Sequence, residues 1–65
     1  MNEMLMEDLS ESEEERITRE WALEAADWRS LANHAGVHPA DMARFLKGEA
    51  SLTAPNRAAI RKALR

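Results

Sequence analysis

His34 and His38 stand four residues apart, the spacing at which one helix face can offer two imidazoles to a metal ion. Gly36 lies between them and breaks any helix there, so the two rings need not share a face. Both are read as surface histidines, and no metal site is expected. Glu11, Glu13, Glu14 and Glu15 bring carboxylates close together, but general acid–base work needs a cleft that separates their proton affinities. Nothing around the run marks one, and a solvated helix start accounts for it. The chain has no cysteine, which excludes disulfides, thiolate metal sites and a thiol nucleophile. No catalytic residue, cofactor or enzymatic activity is expected.

The elements around these residues read as helices. Ala, Leu, Glu and Arg dominate, with one Val, two Ile, one Phe and no Tyr, a balance that disfavours strands. Ser10 with Glu13, or Ser12 with Glu15, reads as a capping box opening a first helix. Ile17, Trp21 and Ala25 recur every four residues and are expected to form its buried stripe, with Trp21 in the core. Asp27 caps a second helix over 28–35, with Leu31, Ala32 and Ala35 on one face and Trp28 at the core's edge or in an interface. Gly36 ends it, Val37 plugs the corner, and Pro39 opens a third helix to Lys47 with Met42, Phe45 and Leu46 inward. Gly48 stops that helix. Thr53 then caps a last one, whose Ile60 and Leu64 turn inward. Met1, Met4, Leu5, Met6 and Leu9 frame a short amphipathic turn or a frayed end, and Leu5 and Leu9 could cap the core. The fold class expected is all-α, a small bundle of four to five helices.

At 65 residues the chain allows one core of modest size. No apolar run approaches the roughly 20 residues that span a bilayer, and the first residues lack the pattern of a signal peptide. A cytoplasmic protein with no membrane partner is expected. The formal net charge of −3 hides two unlike parts. Residues 1–20 carry eight acids against Arg16 and Arg19, and 21–65 carry seven bases against Glu24, Asp27, Asp41 and Glu49. The division drawn is an acidic arm with helix start at 1–15 and a mildly basic domain at 16–65.

Two short helices joined through a Gly turn, with a small residue where they cross, make a helix-turn-helix. Ala32, Gly36, Val37 and Phe45 meet those demands at fixed offsets. The stretch from Asp27 to Gly48 resembles the Xre/Cro phage-repressor family: a Leu-Ala pair at Leu31-Ala32, Gly-Val at the turn, and a Gly closing the next helix. The ending Ile60-Arg61-Lys62-Ala63-Leu64 is similar to the helix that follows the motif in that family, so the resemblance covers about 16–64. It implies a lambda-repressor-like fold and a helix at about 39–47 in the major groove of DNA. It also implies that His38, Pro39, Ala40 and Arg44 read bases, and that Arg29, Ser30 and Lys47 grip phosphate. Arg44 would be the principal reader, because its fork matches guanine O6 and N7. Backbone N–H groups from Trp28 to Ser30 could hold a further phosphate. Asp41, Glu49, Pro39, Ala40 and Arg57 depart from the family's usual residues.

The partners implied are double-stranded DNA and a second copy of the chain, since repressors of this kind bind paired half-sites. The competing reading is a phage-type protein-interaction or inhibitor module on the same scaffold, whose acidic arm binds a basic protein. Arg29, Arg44 and Lys47 favour DNA; Asp41 and the acids of 7–15 favour protein.

Overall fold

The computed structural model describes residues 9–64. They form four α-helices and, among the described residues, no strand: α1 Glu11–Leu23, α2 Trp28–Ala35, α3 Pro39–Leu46 and α4 Ala54–Ala63. No helix among them is long and apolar enough to cross a membrane. Met1, Met4, Leu5 and Met6, expected to frame a turn, lie outside the described residues, as does Arg65.

Each helix starts where a side chain can accept from its first free N–H groups. Ser10 Oγ accepts from Glu13 N at 3.3 Å, which selects Ser10 over Ser12 as the cap of α1. Asp27 caps α2 and Thr53 caps α4, its Oγ1 accepting from Asn56 N at 3.3 Å. Gly36 and Gly48 take φ of 75° and 77°, the left-handed region that costs a side-chain-bearing residue energy. After Gly36, Val37 N–H reaches back to the Ala32 carbonyl at 2.9 Å; after Gly48, Glu49 N–H reaches Arg44 O at 2.9 Å. Both are Schellman closures that satisfy the last carbonyls of α2 and α3.

The core is Ala22, Leu31, Ala32, Val37, Met42, Phe45, Leu52 and Ile60. Ala25, Trp28, Ala35, Leu46, Ala63 and Leu64 pack around it, half-buried. α4 lies chiefly across α2 and also along α1, while α3 meets α2 and α1. Leu52, in the link between α3 and α4, belongs to this core although no periodicity singles it out.

The stripe expected on α1 is corrected. Glu14, Thr18 and Ala22 face inward, Ile17 is half-buried, and Trp21 is 46% exposed. The four-residue period is right, but the buried face is turned by one residue, about 100°. The cause is α4, which presents arginines to α1. Arg57 Nε donates to Glu14 Oε1 at 2.7 Å, its Nη2 to Glu11 Oε2 at 3.0 Å, and its Nη1 to the Leu52 carbonyl. Arg61 Nη1 donates to Glu14 Oε2 and, at 3.0 Å, to Thr18 Oγ1. The Thr18 hydroxyl in turn donates to the Glu14 carbonyl at 2.8 Å.

Arg57 is 3% exposed and Glu14 9%. A buried carboxylate and guanidinium persist only when their hydrogen-bonding capacity is met. Here it is, and no buried side-chain polar atom among the described residues lacks a partner. Burial pushes the Glu14 carboxyl up, but the hydrogen bonds from Arg57 and Thr18 and the charges of Arg61 and Arg57 outweigh it and hold the carboxyl below its ordinary range. Burial pulls the Arg57 guanidinium down, and the bonds to Glu14 and Glu11 more than reverse that. Glu14 is therefore part of the core rather than of a solvated helix start. α1 runs unbroken across position 15, where the composition changes. Arg57 and Arg61 together hold the Glu14 carboxylate.

Candidate nucleic-acid interface

α2, the Gly36 turn and α3 form the unit on which the expected site residues lie. Leu31 and Ala32 bury one face of α2, and Ala32, fully buried, keeps its backbone close to the core. Met42 and Phe45 anchor α3 from below, both fully buried. Arg19 of α1 holds the far end of α3: its Nε donates to the Phe45 carbonyl at 2.7 Å, and its guanidinium lies 4.9 Å over the Phe45 ring. A cation on a C-terminal carbonyl suits the helix dipole, and the face of an aromatic ring attracts it further. Arg19 is a positioning residue that the sequence marks only through its partner Glu15, four residues before it and 3.5 Å away.

With Met42 and Phe45 inward, the opposite side of α3 is exposed. Ala40, Arg44 and Lys47 fall at i, i+4 and i+7 on it, a single stripe. Arg44 pairs with Asp41 at 3.4 Å, both side chains well exposed, so the bond is weak and exchangeable. Asp41 sits in the first turn of α3, where the helix dipole favours a carboxylate. Pro39 is half-buried at the first position of α3, and His38 is exposed and caps it. Among the four residues expected to read bases, Ala40 and Arg44 share the outward stripe, while His38 and Pro39 build the start of the helix.

Arg29 and Ser30 are exposed in the first turn of α2, apart from that stripe in the chain. The Arg29 guanidinium lies 5.2 Å over the Trp28 ring. The expectation that N–H groups at this end hold a phosphate is corrected. Asp27 Oδ1 already accepts from Arg29 N at 3.1 Å and from Ser30 N at 3.2 Å. A carboxylate at that point both occupies the donors and repels another anion. The side chains of Arg29 and Ser30 stay free to act.

His34 is exposed in the last turn of α2, and His38 lies beyond the turn with Nδ1 accepting from Ala40 N. Among the described residues, no group of three or more His, Cys, Asp or Glu could hold a metal ion. Exposed charge on the unit from Asp27 to Gly48 comprises Arg29, Arg44 and Lys47 against Asp27 and Asp41. Comparison with family models, curated proteins and solved structures found no match.

Proposed function

We propose that this chain is a small cytoplasmic DNA-binding transcriptional regulator of the Xre/Cro phage-repressor type, acting as a homodimer and binding rather than catalysing. In this reading α2, the Gly36 turn and α3 are a helix-turn-helix, and α3 enters the major groove. The observation that carries it is the exposed Ala40–Arg44–Lys47 stripe on a short helix whose other side is locked by Met42 and Phe45. Arg44 exchanges Asp41 for a guanine edge, Ala40 meets a thymine methyl, and Lys47, with Arg29 and Ser30, contacts phosphate. Selection of duplexes from a random library by the full chain tests it. Enrichment of a sequence containing guanine supports the reading, and retention of no duplex above the random pool contradicts it.

A second reading keeps the scaffold and replaces DNA by a basic protein. It is favoured by Asp27 and Asp41, which offset two of the unit's three cations, and by the acids of residues 1–20 other than Glu11, Glu14 and Glu15, which arginines of the fold hold. That reading predicts no enriched duplex.

A further inference from the structure

α3 opens on Pro39, which has no N–H, so Ala40 carries the helix's first backbone donor. That donor goes to a ring nitrogen: Ala40 N donates to His38 Nδ1 at 3.1 Å. The His38 carbonyl meanwhile accepts from Met42 N at 3.0 Å, closing the first helical turn. Ordinary N-caps are hydroxyls, amides or carboxylates, whose oxygen accepts throughout the neutral range. An imidazole nitrogen accepts only while its lone pair is bare. We propose that His38 is a proton-operated cap, holding the first turn of α3 closed when neutral and releasing it when the ring takes up a proton.

The bond at Nδ1 sets the tautomer. Neutral His38 carries its proton on Nε2, leaving a donor on an exposed side chain at the head of the Ala40–Arg44–Lys47 stripe. A second proton can only go to Nδ1, where it turns the acceptor into a donor facing the Ala40 N–H. The new positive charge then sits at the positive end of the α3 dipole. Both effects open the turn.

The surrounding charges do not override this. Asp41 on α3 would favour an imidazolium, but it is paired with Arg44 and exposed to solvent. α2 contributes His34, Arg29 and Asp27, the last engaged at the opposite end of its helix. α1 meets α3 through Arg19, which is held at Phe45 and by Glu15. Among the described residues, the ion pairs are Arg16–Glu20, Arg19–Glu15, Arg44–Asp41, Arg57 with Glu11 and Glu14, and Arg61–Glu14, none of which involves His38. Unlike a hydroxyl, amide or ionised carboxylate cap, an imidazole can change charge within the range of pH that cells reach. The cap works in this way whatever α3 binds.

Nitrogen-15 NMR of the full chain from pH 7.5 to 5.0 tests the proposal, with His38→Asn as a cap that does not titrate and His34→Gln as the control for the other ring. At pH 7.5 the ring signals should show a bare Nδ1 and a protonated Nε2. The Ala40 amide should move with the His38 titration, and its exchange protection relative to His38→Asn should fall about five-fold by pH 5.0, the ratio an ordinary cap is worth. His34→Gln should behave as the parent. A proton on Nδ1 at pH 7.5, an Ala40 amide that ignores the His38 titration, or the same acid loss in His38→Asn would each overturn it.

Discussion

Glu14 is the residue on which the fold depends most visibly, because it brings a negative charge into an interior that also holds Arg57. Removing one partner leaves the other buried and uncompensated, so Glu14→Gln should cost about 3 kcal/mol, read from a denaturant or thermal melt. Replacing both, as Glu14→Leu with Arg57→Leu, should cost less than either single change, since no charge is then stranded. The pH dependence has a definite sign. The Glu14 carboxyl is held below its ordinary value of 4.5 in the folded chain, so its contribution is complete above that value. It is lost as pH falls through the lower folded value. Melts between pH 7 and 3 should show the parent losing this stability in acid, with a flatter curve for Glu14→Gln over the same window. Gly36 is a second test at this scale. An added Cβ would meet nothing within 4 Å, so Gly36→Ala should destabilise by about 1–2 kcal/mol through backbone strain alone. A β-branched Val should cost more.

Among the elements, α1 separates what is local from what is not. The caps Ser10, Asp27 and Thr53 and the stops Gly36 and Gly48 are legible in the sequence, because each is satisfied within five residues. The outward stripe of α3 is legible for the same reason: Met42 and Phe45 are apolar and fix the helix's rotation. The rotation of α1 is not. Its inward residues include Glu14 and Thr18, whose partners Arg57 and Arg61 lie 43 to 47 residues away. Period-four hydrophobicity read alone chooses Ile17 and Trp21 instead. Trp21→Ser should therefore cost about 1–2 kcal/mol, less than the several that a fully buried tryptophan would cost. The conflict at the start of α2 is of another kind, since the donors assigned to a phosphate are those that the Asp27 cap consumes. α1 also decides where the chain can be shortened. A truncation to residues 16–65 deletes Glu11 and Glu14 and should lose its cooperative melt, while one to residues 9–65 keeps both and the Ser10 cap.

Across the whole molecule, charge and the exposed side of α3 decide what the chain can bind. Truncation to residues 9–65 removes Glu3, Glu7 and Asp8 and no base, so at low salt it should bind DNA more tightly than the full chain. The gain should shrink near physiological ionic strength, where screening acts over about 8 Å. In the proposed function, Arg44 reads a base while Lys47 grips phosphate. Fluorescence anisotropy on the selected duplex and on a scrambled one tests it most directly, for the parent, Arg44→Ala and Lys47→Ala. Arg44→Ala should lose about 1–3 kcal/mol on the selected duplex and far less on the scrambled one, and Lys47→Ala should weaken both alike. Equal affinity of the parent and Arg44→Ala for both duplexes would contradict it.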